Sequence, residues 1–397
     1  MKKLLSVVTT IGILVLSGCT SSKAPAGSTQ TTDPAGKAPA AQGEILIGNI
    51  QDLSGPTAAW GKGQTNGSQL AVDKINAAGG VGGRQLKLIS YDTKGDVTEA
   101  INAYNRLVEQ DKVVAVLGPP TSNIGIALAP LTDQKKVPIL GDFIDERATT
   151  PQPGKAAKYM FLGEPSAAQQ AELMADYALK KLGLKKFAML YDQSNAFAVS
   201  MAGPFEKYVK ANGGEVVASQ TFQKGDKEYR AQLSRIKEAN PDALYIPNYA
   251  QENALAAQQA RELGIKATLL GNNALFTPFV TLAGAAAEGA YFPNNVTLDD
   301  PALQEVLKEY NDRFKVEPVI HIFFGYDNVL VVADAIKRAG GADPEAITAA
   351  LASTRAVEGY TGEITLSPET HRPVGLPMVM MTVKDGQYKA VESYVIK

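Results

Sequence analysis

Val-Val-Ala-Val-Leu-Gly-Pro-Pro-Thr-Ser-Asn, residues 113–123, is the stretch from which the fold can be predicted. Five apolar residues stop at Gly-Pro-Pro, which is typical of a short strand covered on both faces of a parallel sheet. A helical pattern follows over 124–134, and Thr121, Ser122 and Asn123 can accept hydrogen bonds from the free N–H groups at its start. In open α/β sheets, a strand end followed by a helix N-terminus binds small anionic groups. An ordinary strand–helix turn with an N-cap fits the same residues.

Strand and helix patterns alternate on both sides of this stretch. Strands at 44–51 and 85–91 are separated by a helix that starts at Gly67, and a fourth strand is predicted at 137–140. The alternation restarts after residue 154 and continues to a strand at 268–270. The sequence therefore predicts two α/β units, each with a mostly parallel sheet and helices on both faces.

The C-terminal part does not form a third unit. Three helices after residue 300 are followed by strands at 360–366, 378–383 and 388–394, and the last two form a hairpin. We expect these elements to complete the two existing sheets, so that the chain crosses between the lobes more than once. Two lobes with several crossovers form a hinge, and a ligand would bind in the cleft between them.

The N-terminus predicts export and a lipid anchor. Met1-Lys2-Lys3 is basic, and the mainly apolar run from Leu4 to Leu16 is too short to span a bilayer, which is typical of a signal peptide. It ends in Leu-Ser-Gly-Cys at 16–19, the bacterial lipoprotein processing signal, so the thiol of Cys19 would be acylated. Residues 20–43 are rich in Ser, Thr, Ala, Gly and Pro and predict a flexible tether. The mature protein would be anchored to the membrane by lipid, outside the cytoplasm.

Composition and motifs exclude several classes of function. A net charge of −2 leaves no basic stripe for nucleic acid, and Cys19 as the only cysteine allows no disulfide within the chain. The two histidines, His321 and His371, lie fifty residues apart, so neither a metal site nor a cofactor is expected. No phosphate loop, dinucleotide fingerprint or nucleophile elbow occurs, and the glycines of 79–83 fit a turn better than a phosphate loop. We therefore expect that the protein is not an enzyme.

Several motifs, taken together, resemble one family across nearly all of residues 44–397. They are Leu-Ser-Gly-Pro at 53–56, the segment from Gly61 to Val81, Tyr-Asp-Thr at 91–93, Gly-Pro-Pro-Thr-Ser at 118–122 and Gln-Gln-Ala-Arg-Glu-Leu-Gly at 258–264. Their order and spacing are similar to those of the extracytoplasmic solute-binding proteins of branched-chain amino acid ABC transporters, the Leu/Ile/Val-binding type.

The resemblance implies a periplasmic-binding-protein-like type I fold. This fold has two doubly wound parallel-sheet lobes that are joined by three crossovers and close on a ligand. Residues 44–163 and 294–364 would form the first lobe, and residues 164–293 and 365–397 the second. The resemblance also implies a monomer that delivers its ligand to permease subunits in the membrane.

The resemblance places an α-amino acid in the cleft, held by its two ends. Its carboxylate would meet the hydroxyl of Ser122 and backbone N–H groups of the Thr121-Ser122 loop, which agrees with the local prediction of an anion site. A lid aromatic of the family falls on Trp60, on a glycine-rich loop, and a pocket tyrosine falls on Tyr249. A half-buried anchor is the alternative role for Trp60.

The ammonium end departs from the family pattern. Where the family has a Ser/Ala-x-Thr segment, Phe143 stands at the position of the carbonyl donor and Asp145 at that of the threonine. The family's acidic partner in the second lobe falls near Asn273, which is uncharged. A negative charge at Asp145 could take over this contact, and its alternative is an ion pair with Arg147.

Two ligand classes follow from these departures. The leading hypothesis is an amino acid, branched-chain or otherwise apolar. The second is a non-amino-acid carboxylate, such as an aromatic acid, or a short amide, with Phe143, Trp60 and Tyr249 available to stack on a ring. A secreted enzyme and a two-lobed sensor domain are further classes, and the sequence carries neither a catalytic motif nor a fused output domain.

Overall fold

The computed structural model describes residues 43–152, 154–276 and 278–396. The predicted signal peptide, Cys19 and all but the last residue of the predicted tether lie outside these ranges. Within them, none of the helices combines the length and the hydropathy that a membrane span requires.

Strands and helices alternate along most of the described chain. The strands are β1 (Ile45–Gln51), β2 (Leu86–Asp92), β3 (Ala115–Leu117), β4 (Ile139–Gly141), β5 (Met160–Leu162), β6 (Lys186–Asp192), β7 (Glu215–Phe222), β8 (Ala243–Tyr245), β9 (Thr268–Leu270), β10 (Tyr291–Asn294), β11 (Val357–Gly359), β12 (Gly362–Ile364), β13 (Met378–Lys384) and β14 (Gln387–Tyr394). The α-helices are α1 (Ala58–Ala77), α2 (Val97–Glu109), α3 (Ser122–Lys135), α4 (Ala167–Lys180), α5 (Ala196–Ala211), α6 (Arg230–Glu238), α7 (Ala250–Glu262), α8 (Phe279–Ala283), α9 (Gln304–Phe314), α10 (His321–Ala339) and α11 (Pro344–Ala352). Short 3-10 helices lie at Glu146–Ala148, Asn273–Leu275, Gly284–Ala287 and Pro301–Leu303.

Two sheets define two lobes, as predicted. The first lobe contains a five-stranded parallel sheet in the order β2-β1-β3-β4-β5. The second contains a seven-stranded sheet in the order β14-β13-β10-β9-β8-β6-β7. Its strands are parallel from β7 to β10, whereas β13 and β14 add to the edge in antiparallel orientation. The fold is a two-lobed, doubly wound α/β structure.

The stretch at 113–123 forms the predicted strand and helix. All of β3 is buried, and residue 47 of β1 pairs with residue 115 while residue 139 of β4 pairs with residue 116. This central position explains the continuous apolar run, because helices cover both faces of the sheet here. The strand ends at Leu117, and α3 begins at Ser122 with Thr121 as its N-cap residue.

Three short elements differ from the predicted ones. The strands β5 and β10 were not predicted, since strands of three or four residues are too short to show a periodic pattern. The strand expected at 360–366 is instead a separate hairpin of β11 and β12, which packs on α10. Asp327 of α10 fixes that hairpin, because its carboxylate accepts hydrogen bonds from the backbone N–H groups of Tyr360 and Thr361 at 2.8 Å.

The first helix begins earlier than predicted, at Ala58 rather than Gly67. Its glycines, which suggested a loop around Trp60, allow the backbone of α1 to approach that of α10. A Cβ atom added at Gly67 would lie 2.0 Å from the carbonyl oxygen of Ile322, and one at Gly325 would lie 2.0 Å from that of Gln64. Trp60 therefore lies in the first turn of a helix, and the prediction of a glycine-rich loop was wrong at this point.

The chain passes between the lobes near residues 163–166, after Asn294 and again before Met378. Residues 366–373 contact the first lobe, since the His371 ring stacks on Phe161 of β5 with 4.3 Å between the ring centroids. The His371 Nδ1 atom lies 3.1 Å from the carbonyl oxygen of Ala157. These contacts attach the segment around His371 to the first lobe; the predicted lobe boundaries, including the one at 364, stay predictions.

Replacing Gly67 with alanine should destabilise the first lobe. The added methyl group would overlap the carbonyl oxygen of Ile322, so the two helices would have to separate. Overpacking of this kind costs about 1–3 kcal/mol in the free energy of unfolding. Gly203→Ala is the matched control, because Gly203 lies within α5 and a Cβ atom there meets nothing within 4 Å.

Urea titrations of the two variants and the wild type would give the free energies of unfolding. The control variant should gain up to about 1 kcal/mol from the higher helix propensity of alanine. A Gly67→Ala protein as stable as the wild type would show that the contact between α1 and α10 is not tight.

Candidate functional site

The N-terminus of α3 lies at the carboxyl edge of the first sheet. Thr121 is the N-cap residue, but its side chain makes no capping hydrogen bond to the helix. Ser122 is buried, and its hydroxyl oxygen accepts a hydrogen bond of 3.2 Å from the backbone N–H of Asp145. A hydroxyl that accepts one bond can still donate its own proton. The helix start, with its partial positive charge, and the Ser122 hydroxyl can therefore bind an anionic group together.

Asn123 connects this loop to the second lobe. Its side-chain oxygen accepts a hydrogen bond of 2.9 Å from the backbone N–H of Ala196, at the start of α5. The helix start of α3 thus lies at the interface between the lobes. This position is where a ligand that holds the two lobes together would bind.

Aromatic side chains from both lobes meet beside this interface. Trp60 of the first lobe packs edge-on against Tyr249 of the second, with 5.4 Å between the ring centroids. Tyr249 in turn lies 4.9 Å from Phe197 of α5. On its other side, Trp60 stacks on His321 at 4.7 Å with an interplanar angle of 11°. The structure therefore brings together two of the predicted site residues, Trp60 and Tyr249.

His321 was not predicted to lie near the site. Burial lowers the pKa of its imidazole to about 3, so the ring is neutral at physiological pH. The only sequence signal was its rarity, because the chain contains just two histidines. A neutral ring stacked flat against Trp60 holds the indole in one orientation.

Asp145 is already paired within the first lobe. Its carboxylate binds the Arg147 guanidinium in a bidentate manner, with Nη2–Oδ2 at 2.6 Å and Nε–Oδ1 at 3.0 Å. The same carboxylate accepts from the backbone N–H of Arg147. The hydrogen bond to Asp145 raises the pKa of Arg147. This geometry is an ion pair with Arg147, which was the alternative role considered for Asp145. A contact between Asp145 and a ligand stays a prediction.

The Phe143 side chain lies in the core of the first lobe. It is fully buried, and a Cβ atom added at Gly125 of α3 would lie 2.4 Å from its ring. The ring therefore packs under α3, and its stacking on a ligand ring stays a prediction. A role for its backbone carbonyl stays a prediction.

Two buried acids near the first crossover were missed by the sequence interpretation. Asp142 follows β4, and Glu164 follows β5. The Nδ2 atom of Asn273, a predicted site residue, donates a hydrogen bond of 3.0 Å to the Glu164 carboxylate. Burial raises the pKa of Asp142 to about 7, and the nearby charge of Asp327 contributes. Burial and the charge of Asp142 raise the pKa of Glu164 well above its usual range.

Only one of these two acids lies close to a position that the sequence singled out. Asp142 is adjacent to the predicted position at Phe143, but Glu164 follows a strand that the sequence did not reveal. Across the described ranges, no group of three or more His, Cys, Asp or Glu side chains could hold a metal ion.

The comparisons with known proteins agree with this geometry. Over residues 44–387 the chain matches the family described as periplasmic binding protein. The chain belongs to this family. Its members are solute-binding proteins and not enzymes.

Several relatives are similar to this chain over most of their own length. The Leu/Ile/Val-binding protein BraC3 of Rhizobium johnstonii is 31% identical over 83% of this chain and 89% of its own. The structure of LivJ from Streptococcus pneumoniae, a branched-chain amino acid transporter substrate binding protein in complex with isoleucine, is 32% identical with a TM-score of 0.78. That match covers 88% of this chain and 99% of LivJ. The leucine binding protein LivK from Thermotoga maritima is 28% identical, covers 88% and 98% of the two chains, and has a TM-score of 0.79.

Replacing Asp142 with asparagine should stabilise the unliganded protein above neutral pH. The folded-state pKa of Asp142, about 7, lies above its ordinary value of 3.8, so the folded protein favours the neutral carboxyl. Stability contributed by the neutral group is complete below the unfolded-state pKa and is lost as the pH rises towards 7. Asp142→Asn cannot ionise, and its melting temperature should exceed that of the wild type by roughly a few degrees at pH 8.

Differential scanning calorimetry between pH 5 and pH 8 would measure this difference, which should shrink towards pH 5. Asp176→Asn is a control whose change in stability should have the opposite sign. Although burial opposes it, hydrogen bonds from Lys180, Tyr208 and Tyr394 lower the pKa of Asp176, so this variant should lose stability most at high pH. A constant difference between Asp142→Asn and the wild type would show that Asp142 does not titrate in this range.

Proposed function

We propose that this chain is the substrate-binding component of an ABC importer and binds an amino acid, branched-chain or otherwise apolar, between its lobes. The observation that carries the proposal is the contact between the two lobes beside the start of α3. There the Ser122 hydroxyl and the helix N-terminus offer a carboxylate site, and Trp60 and Tyr249 offer an apolar wall. An α-amino acid with an apolar side chain combines the two groups that these surfaces bind.

The named relatives support the same ligand class. BraC3 is described as a Leu/Ile/Val-binding protein, and the LivJ structure contains isoleucine. Both exceed 30% identity over most of the chain. We infer that the ligand carboxylate is bound at Ser122 and Thr121 and that the amino acid is delivered to permease subunits in the membrane. We expect the binding protein to act as a monomer.

A second candidate ligand is an aromatic acid or a short amide. The cluster of Trp60, Tyr249 and Phe197, whose rings come from both lobes, favours it, because such rings stack well on a planar ligand. A solute binding protein from Rhodopseudomonas palustris in complex with benzoate has the same fold at 22% identity, a likeness that concerns the fold alone. Ligand screening separates the two candidates.

Thermal-shift and calorimetric titration with leucine, isoleucine, valine, benzoate and short amides would test the ligand class. At a hundredfold excess over Kd, a bound ligand stabilises the folded protein by about 2.7 kcal/mol. We expect the shift with the branched-chain amino acids. Loss of a hydrogen bond to the ligand carboxylate is worth about 1.5–3 kcal/mol, so Ser122→Ala should weaken amino acid binding by roughly 10- to 100-fold.

Ser234→Ala is the matched control, because the Ser234 hydroxyl donates its hydrogen bond to the carbonyl of Arg230 within α6. The Ser234→Ala protein should bind the amino acid with the same affinity as the wild type. A shift with benzoate or an amide, and with none of the amino acids, would favour the second candidate. Stabilisation by none of these compounds would contradict both ligand classes.

We further propose that the protein is lipid-anchored outside the cytoplasm through Cys19. The support is the Leu-Ser-Gly-Cys processing signal at 16–19 and the tether-like composition that follows it. In cells that carry Cys19→Ala, we expect the protein to lose its acyl group and to leave the membrane fraction. Metabolic labelling with a fatty acid, followed by fractionation, would measure both effects. Equal labelling of the variant and the wild type would contradict the assignment.

A further inference from the structure

Two buried polar side chains lie beside the contact between Trp60 and Tyr249. His321, the first residue of α10, stacks on Trp60, and Gln64 follows Trp60 by about one turn of α1. A Cβ atom added at Gly63 would lie 3.5 Å from the Cβ atom of His321, so the backbone of α1 adjoins His321 here. Side chains four positions apart in a helix lie on the same side, so Gln64 is on the side of α1 that carries Trp60.

Neither of these side chains finds its hydrogen bonds within the protein. Gln64 is 1% exposed, and both the oxygen and the nitrogen of its amide lack a partner among the described residues. His321 is 6% exposed, and its Nδ1 atom likewise has no partner there. Buried polar groups are nearly always hydrogen-bonded, because an unpaired one is strongly unfavourable. Three such atoms around Trp60 therefore indicate a site for a further polar group.

Polar side chains further along α1 are paired. The Ser68 hydroxyl donates a hydrogen bond of 3.0 Å to the carbonyl oxygen of Gly325 in α10. The Asn66 amide donates one of 3.2 Å to the hydroxyl of Tyr310 in α9. These side chains fix α1 to its neighbours, whereas the amide of Gln64 has no such role. The unpaired atoms thus lie towards the end of α1 at which Trp60 meets the second lobe.

The unpaired atoms require a neutral group that both donates and accepts hydrogen bonds. The amide of Gln64 offers donors and an acceptor, and a neutral imidazole has one nitrogen of each kind. Burial alone lowers the pKa of His321, and no charged side chain of the described chain contributes to that pKa. A charged group would therefore lack a counter-ion here, which is costly in a buried site. A hydroxyl or a carboxamide meets these requirements, whereas a purely apolar group leaves all three atoms unpaired.

We propose that Gln64 and His321 form a polar subsite, which binds a hydroxyl or carboxamide group in the side chain of the amino acid between the lobes. This assignment rests on the proposed function, amino acid binding, and changes the expected order of affinities within that class. Ser122 would bind the carboxylate, and Trp60 would contact the carbon atoms of the ligand side chain. Between two side chains of equal shape, the one with the polar group would bind more tightly.

Amino acids of equal shape test the proposal directly. Threonine is valine with a hydroxyl in place of one methyl group, and asparagine is leucine with a carboxamide in place of the isopropyl group. In calorimetric titrations of the wild-type protein, the polar member of at least one pair should bind roughly 10-fold more tightly than its apolar partner. In Gln64→Met and His321→Phe this ratio should fall towards one, while binding of the apolar partner stays equal or improves. His321→Phe keeps a ring that can stack on Trp60.

Stability of the unliganded variants gives a second measurement. An apolar side chain of similar size removes the unpaired atoms, so the unfolding midpoints of Gln64→Met and His321→Phe should equal or exceed that of the wild type. Asn105→Leu is the matched control, because the side-chain oxygen of Asn105 in α2 also lacks a partner among the described residues. This control should keep the wild-type ratio of affinities. A ratio that persists in both subsite variants would overturn the proposal.

Failure of the proposal is distinguishable from failure of the proposed function. A buried water that satisfies Gln64 and His321 would serve valine and threonine alike. If the wild-type protein binds branched-chain amino acids but prefers the polar member of neither pair, only the polar subsite is wrong. If it binds benzoate or a short amide and no amino acid, the ligand class and the polar subsite are both wrong.

Discussion

The parallel alignment of β3, β4 and β5 is the constraint on which the site depends. Neighbouring parallel strands end at the same edge of the sheet, so the segments that follow them must lie side by side. Residues 118–123, 142–147 and 163–166 are far apart in the sequence but meet at this edge. The hydrogen bond from the Asp145 backbone to the Ser122 hydroxyl is a direct result.

The candidate site combines two chemically different surfaces. The start of α3 offers positive backbone groups, and the contact between Trp60 and Tyr249 offers aromatic faces. Each surface includes groups from both lobes or connects to both. A ligand that satisfies both would have a carboxylate and an apolar part, and it would hold the two lobes together.

The fold could be predicted from the sequence to a large extent, and the site only in part. Apolar runs and glycines revealed the alternation of strands and helices, and the Thr121-Ser122 loop was placed correctly at a helix start. The early start of α1 was missed, because glycines that permit close contact with α10 look like loop residues in isolation. The partner of Asp145 could not be chosen from the sequence either, since a ligand and Arg147 were equally compatible with the spacing.

Glu164 shows why the rest of the site was hidden. It follows a three-residue strand that has no periodic signal, and its partners Asn273 and Gln170 are supplied by the second lobe. By itself the sequence determined the two-lobed α/β class and the helix start at Ser122, because both depend on local pattern; export and the anion-binding role of this loop stay predictions. Only the tertiary structure decided which charges are paired and which are not. Pairing depends on distances between segments that are remote in the chain, and burial then determines how strongly an unpaired carboxylate requires a cation.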